Sequence, residues 1–473
     1  MEARVTTHLH AAEAQVQTHS AALHKELGIA DLVLAQILMV MVPEFFGTAV
    51  KAGSSSTVLW ILAILVFFIP QALVVAHLNR LMPIEGGLYE WARLAFNDRI
   101  GFLVAWNIWL SFLLQVSQIA LVTTTYVSYA VGPEAAWIAS NKSIVLVASV
   151  GLIAALMYVA RLGLGVGKWV SNAGSVITVV TLLGLVVLPL IHVWHGTLPD
   201  YHPLRLVMPP LTLFSLSVFS KMTFGALSGF EYVAIFAGEC RNPARHLARS
   251  VFIAAPIIAL LYIFGTSSIL AFVTPDSVDI IGPVPQALSL GVRSFGLAGI
   301  IAPVAILLLL ANYLCSYTLY VSGSARLPMV AGWDHLVPRW FAHLHAKHRT
   351  PVNSILFVGG VALAASIGVL IGVGEQEAFV QLQTWVWGFY GLGYLVMFAI
   401  PLCSRKDLGI RPALGLRIAA VSGFLVTLLF VLLSVSPIIS VESGWAYTAK
   451  TVAVIVGANL VGVILYGFGR RKR

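Results

Sequence analysis

Apolar residues run in long blocks along this chain, and polar residues gather between them. The blocks lie at about 29–50, 57–79, 100–131, 143–160, 169–194, 212–238, 250–273, 297–323, 353–373, 379–402, 413–436 and 449–468. Each approaches or exceeds the roughly 20 residues that a helix needs to cross hydrocarbon. A helix also pairs its own backbone groups where no water can. The pattern predicts twelve transmembrane helices, numbered spans 1 to 12, with both termini on one face. Residues 1–25 precede the first block and hold no apolar segment of the kind a signal peptide needs. They read as a disordered tail, in which His8, His10, His19 and His24 are spaced too irregularly for a metal site.

Two of the spans are not uniform. Span 6 lies within LTLFSLSVFSKMTFGALSGFEYVAIFAGECRNPARHLAR, residues 211–249. There Gly225, Ala226, Leu227, Ser228 and Gly229 interrupt the apolar run, and Glu231 follows. Small residues let a backbone leave helical geometry. Backbone bared at membrane depth survives only where it lines a protein cavity, and discontinuous helices of this kind build the substrate sites of many secondary transporters. An intact helix, closely packed through its small residues, fits the local sequence equally. Span 1 contains LVLAQILMVMVPEFFGTAVKAG, residues 32–53. Pro43 removes a donor and breaks the helix. Glu44 follows at once. A carboxylate inside a span costs about 2.5–3.5 kcal/mol on insertion scales, so it ordinarily faces a polar interior. Two readings of Glu44 stay open: it meets a substrate ammonium or a proton, or it serves a structural ion pair near the outer mouth.

Composition removes the other architectures. The chain is 59% hydrophobic and 10% charged, with a mean hydropathy of +0.92, which leaves no room for a large soluble domain. The net charge of +9 would by itself suit a nucleic acid. Its distribution says otherwise. Of the 28 Lys and Arg, 22 fall on segments facing the N-terminal side. Only Lys51, Lys142, Arg205, Lys221, Arg293 and Lys450 fall on the other. This is a positive-inside bias. It predicts cytoplasmic termini in a plasma (inner) membrane and no nucleic-acid partner. Cys240, Cys315 and Cys403 have no redox or metal spacing.

Three stretches carry a family resemblance. Residues 81–110 read LMPIEGGLYEWARLAFNDRIGFLVAWNIWL, with Pro83, Gly86, Gly87, Tyr89, Trp91, Ala95, Phe96, Gly101, Phe102 and Trp106 in place. In span 6, Ser228 to Glu231 (SGFE) precedes Gly238 to Arg245 (GECRNPAR). After span 8, residues 324–351 read SARLPMVAGWDHLVPRWFAHLHAKHRTP and close on Thr350-Pro351. Together these resemble the amino acid–polyamine–organocation permeases over about residues 25–470. The resemblance implies an all-α membrane fold: five helices, an inverted repeat of five more, and two extra helices, with helices 1 and 6 unwound at mid-membrane. It divides the chain into a cytoplasmic tail (1–25), a ten-helix core (26–402), and two added helices with a short basic tail (403–473).

The same resemblance implies the site. Substrate is expected at Val42, Pro43, Glu44 and Gly47 of span 1 and at Phe224, Ala226, Ser228, Gly229 and Phe230 of span 6. The family often has Gly-Ser-Gly-Ile-Phe at the first break, with free amides for a substrate carboxylate. Here the run is Val40 to Phe46, with a glycine only at Gly47, so that nest is poorer. Glu231 and Trp106 are expected in gating or structural roles. Phe230 ahead of Phe224 is the expected gate, with Trp385 and Trp387 behind them. Asn312, Ser316 and Thr178 are the oxygens available to a sodium ion. The Lys that some proton-coupled relatives carry in helix 5 is missing between Ser171 and Leu183.

The expected function is secondary active transport of an amino acid or related amine, coupled to H+, to Na+ or to exchange, with no cofactor. A polyamine or cationic-amine transporter or antiporter is an alternative. It draws on a short likeness at Ile69 to Leu78 and Val50 to Gly53. A membrane sensor on the same fold is a third reading. The chain has no P-loop, metal cluster or nucleophile motif, so an enzyme is not expected. His192, His195 and His202 read as a wet outer loop.

Overall fold

The computed structural model describes residues 28–82, 87–162, 168–232, 234, 240, 243–293, 295, 298–330, 339–343, 350–403 and 412–470. The tail at 1–25 with its histidines lies outside the described residues. So do Pro83, Glu85, Gly86, Glu239, Arg241, Asn242 and Asp334. Glu90 and Arg93 do pair, at 2.7 Å, on a short helix, Leu88–Ala95.

All regular elements among the described residues are helical. Eleven helices are long and apolar enough to cross a membrane. Ile29–Val40 and Glu44–Val50, bent by 55° at their junction, make a twelfth span when taken together. The spans expected from sequence thus appear in order. Span 2 runs over Gly53–Leu81, span 3 over Asp98–Val131, span 7 over Pro243–Leu270, span 8 over Ala298–Val330 and span 10 over Glu375–Leu402. Span 11 is Leu414–Leu433 and span 12 is Gly444–Arg470. The helix Leu88–Ala95 follows span 2, and the helix Pro283–Gly291 follows span 7. Five crossings separate these two connections, so they sit at opposite ends of the bundle, as an inverted repeat requires.

Local chemistry explains the departures from straight helices. Pro70 has no amide for the carbonyl of Val66, and the helix passes through a π-turn at Ile64–Phe68 just before it. Ser422 of span 11 supplies the missing donor, 2.6 Å from Val66 O. Span 3 is interrupted at Ser117 and Gln118, between Asp98–Val116 and Ile119–Val131.

Burial is graded across the bundle. Span 3 has 83% of its best apolar window inside the protein, and span 12 has 11%. Spans 3, 6 and 10 form the interior, and span 12 presents a lipid-facing surface. One correction follows for span 6. Lys221, counted above with an outer loop, sits inside its helix Leu213–Leu227 and is buried.

Candidate functional site

The first break is set by Pro43. The chain leaves the helix at Met41 (ψ 89°) and re-enters it at Glu44. Tyr262 of span 7 occupies the gap. Its hydroxyl accepts from the amide of Val42 (3.0 Å) and donates to the carbonyl of Val40 (3.0 Å). The second break comes after Leu227. Ser228 is extended (ψ 159°) and Gly229 has φ +123°, a conformation that glycine adopts freely. Residues 230–232 form a single 3-10 turn. Tyr394 of span 10 serves this break: the Gly229 amide donates to its hydroxyl at 2.6 Å. Gln71 of span 2 lies beside it. With its amide nitrogen toward the carbonyl of Leu227 (2.7 Å), it caps the end of the helix. A residue of span 2 thus serves the break of span 6, and a residue of span 7 serves the break of span 1.

The two breaks touch. A Cβ on Gly229 would stand 3.3 Å from Val40 Cγ2 and 3.9 Å from the carbonyl oxygen of Met39. Beyond them the second half of span 1 and the first half of span 6 interlock. A Cβ on Gly225 would stand 2.0 Å from the ring of Phe45, and one on Gly265 of span 7 would stand 2.5 Å from the ring of Phe46. Three small cavities, each about 40 Å³, surround this junction. One is lined by Ser111, Gln115, Ser228, Gly229, Tyr232 and Trp387, among others. A second, at the first break, is lined by Val42, Pro43, Thr178, Asn312, Tyr313 and Tyr317. Met39, Gln115 and Tyr320 line both. The third is lined by Glu44, Thr48, Lys221, Gln383 and Thr384, among others.

Val42, Pro43, Ser228 and Gly229 therefore line the junction. Glu44 is buried at 3% exposure, next to Tyr313, and its Oε2 has no hydrogen-bond partner. Glu231 is also buried, but it is engaged: the hydroxyls of Tyr390 and Tyr394 donate to its two oxygens. It ties the second break to span 10. Gly47 does not belong to the break. A side chain there would meet the backbone of Asp279 and Ile280 at 3.3–3.4 Å, so it permits the approach of an outer segment. In that segment the amides of Ile281 and Gly282, with Tyr129 and Gln376, all donate to Asp279. Burial pushes the Asp279 carboxyl above its ordinary range, and those bonds pull it back.

The aromatics are distributed differently from expectation. Phe230 is fully buried and stacks on Phe68 at 4.8 Å, lining none of the three cavities. Phe224 stacks on Phe430 of span 11 at 4.5 Å and meets Tyr394 edge-on, and Ala226 is buried beside it in sequence. Trp106 sits apart from the breaks: its indole donates to the carbonyl of Ala458 in span 12 and covers Gly462. Trp387, Tyr390, Tyr232 and Tyr320 line the cavity at the second break instead. Sequence reasoning missed the tyrosines, because a tyrosine in a span looks like packing until its hydroxyl finds a partner. The donors of the groups expected at a sodium site are engaged, while their oxygens keep lone pairs. Asn312 donates to Thr178 (3.0 Å), and Ser316 and Thr318 donate to carbonyls of their own helix. His192 is not in a wet loop. It is buried, bonded to Gly291 O (2.6 Å) and Thr197 Oγ1 (2.7 Å).

Comparison with known proteins supports the same picture. A family model described as amino acid permease matches residues 32–458. The probable agmatine/putrescine antiporter AguD of Lactococcus lactis is 24% identical over 380 residues, covering 80% of this chain and 77% of AguD. The branched-chain amino acid permease BcaP of Bacillus subtilis is 25% identical over 384 residues, covering 76% and 78%. Among solved structures, MhsT in complex with L-phenylalanine superposes with a TM-score of 0.58 at 13% identity, covering 87% of this chain and 98% of MhsT. That likeness is one of fold: the inverted-repeat architecture with broken first and sixth helices. The chain belongs to the amino acid permease family of the amino acid–polyamine–organocation superfamily, and it is a multi-pass membrane transporter rather than an enzyme.

Proposed function

We propose that this protein moves an amino acid or a related amine across the plasma membrane by alternating access, with the substrate held where spans 1 and 6 break. The observation that carries this reading is the contact of the two breaks across shared cavities, at Val40 and Gly229. Those cavities are too small for an amino acid, so the conformation described is a closed one. Either mouth must open for substrate to enter. Residues 26–402 form the transport core, and 403–473 add two peripheral helices and a basic tail. Both termini are cytoplasmic. This orientation draws on the Lys and Arg bias, which strengthens once Lys221 is removed from the outer loops.

The test is uptake by proteoliposomes that contain only this protein. Labelled amino acids and amines are offered with an imposed pH gradient, with a sodium gradient, and with unlabelled substrate inside. Accumulation or counterflow of at least one of them is expected. No flux of any under all three conditions would refute transport of this class.

A further inference from the structure

We propose that the loop joining spans 5 and 6 dips its second half into the membrane surface opposite the termini, so that the partner of this face is the lipid leaflet itself. The loop leaves span 5 (Lys168–Trp194) after Trp194 and enters span 6 at Leu213. Its two halves differ. The first half is tied to the protein. There Thr197 is bonded to His192, and the Tyr201 hydroxyl lies 3.2 Å from Ser267 Oγ of span 7. Arg205 turns back and donates to the carbonyl of Asp200 at 3.1 Å. The second half reads LVMPPL, residues 206–211, and no side chain in it carries a charge, hydroxyl or amide. Leu206, Val207, Met208 and Leu211 are exposed, Met208 by 77% and Leu211 by 93%. A contiguous exposed apolar patch marks an interaction surface.

Lipid is the occupant that the surroundings fit. The patch is continuous with exposed apolar helix surface at both ends. Val187, Leu190 and Val193 are exposed toward the end of span 5, and Leu213, Phe214 and Leu216 on the first turn of span 6. Span 6 is interior further along, but a first turn that is apolar and open on several sides belongs in hydrocarbon rather than water. The depth agrees. Trp137, Trp194 and Trp445 are all exposed, and each lies at the end of a span on this same side. Exposed tryptophans of this kind sit at headgroup level, and the loop starts beside one of them. The backbone agrees as well. An unpaired amide is costly next to hydrocarbon, and Pro203, Pro209 and Pro210 have none to leave unpaired. The other amides stay among the headgroups while the side chains reach below, which is how interfacial segments gain their binding. The half of span 6 that carries Gly225 thus has a foothold in the leaflet next to its first residue.

The experiment uses the full chain in lipid nanodiscs, where both faces of the bilayer are open to reagents. Cys240, Cys315 and Cys403 are replaced by alanine, or the exposed Cys403 alone if that background melts below wild type. Spin labels are attached singly at Leu206→Cys, Met208→Cys and Leu211→Cys. Asp200→Cys, exposed on the same loop, is the water-facing reference, and Val456→Cys, exposed on span 12, is the lipid-facing one. A melting temperature near that of the background certifies that each labelled variant is folded. Power saturation then compares collision with oxygen, which concentrates in lipid, against collision with a water-soluble nickel chelate. The oxygen-to-nickel ratio at 206, 208 and 211 should exceed that at 200 several-fold and approach that at 456. As an independent reading, bimane at Met208→Cys should be quenched by lipids carrying a shallow nitroxide and spared by iodide. Ratios no higher than at Asp200 overturn the inference, because the patch then faces water and is free for another protein. Shielding from both reagents, with broadening between labels, overturns it too, because the patch is then an interface between two copies of this chain.

Discussion

The amide of Gly229 donates to the hydroxyl of Tyr394 across 2.6 Å, and that hydroxyl in turn donates to Glu231, two residues beyond the glycine. One side chain of span 10 thereby holds both sides of the break in span 6. A bared amide in a bilayer is costly unless something accepts from it, so the phenol is what makes the break affordable.

Tyr394→Phe removes the nearer acceptor of Gly229 N, leaving it only the oxygen of Gln71 at 3.3 Å, and takes the phenol donor from one oxygen of Glu231. Leaving a buried polar group unsatisfied costs about 1–3 kcal/mol. The melting temperature in detergent should fall, and uptake should fall with it. Tyr390→Phe removes only a donor to Glu231 and should do less.

Phe45 lies where a side chain on Gly225 would be, and overfilling a packed core costs about 1–3 kcal/mol. Gly225→Val should therefore destabilise the protein and abolish uptake. Pairing it with Phe45→Ala should recover part of the stability. The double-mutant cycle is read by thermal denaturation, and strict additivity would mean that the two residues do not share this space.

Lys221 donates to the carbonyl of Ser436 and forms no salt bridge among the described residues. Burying a cation without a counter-ion is expensive, and an apolar replacement of similar length removes that cost. Lys221→Met should melt no lower than wild type. If the lysine serves transport, uptake will drop while stability holds. A loss of both would mean that the ammonium is a structural anchor.

Asp279 gives a pH dependence with a definite sign. Burial raises its folded-state carboxyl above the unfolded value. The protonated form is then favoured on folding, so this contribution is fully present below the ordinary carboxylate range. It is lost as pH rises through the raised folded value. Melting measured across acid to neutral pH should show wild type losing stability relative to Asp279→Asn as pH increases. Parallel curves would remove Asp279 as the source.

Much of this was legible in the residues because membrane physics is coarse. Twelve apolar blocks and a charge bias need no tertiary information, and Pro43 announces the first break through backbone chemistry alone, whereas the small residues around Gly229 suit an intact helix equally until the family resemblance is added. The rest depends on which helix faces which. Nothing at Tyr262, Tyr394 or Gln71 distinguishes them locally from packing residues. They matter because other segments bring Val42, Gly229 and Leu227 to them. Of the gating or structural role expected of Trp106, its position shows a structural tie, the indole donating to span 12. Lys221 was misplaced because a lone cation at the edge of an apolar block reads as a boundary, and its carbonyl partner lies 215 residues away.

The seating of Phe45 over Gly225 and Phe46 over Gly265 has a mechanical corollary. The upper arm of span 1 is keyed at once into the upper arm of span 6 and into span 7. It cannot swing outward alone without dragging two rings from their sockets. Opening toward the outside should therefore proceed as a wedge of three helices pivoting together, with Met41 to Pro43 as the pin.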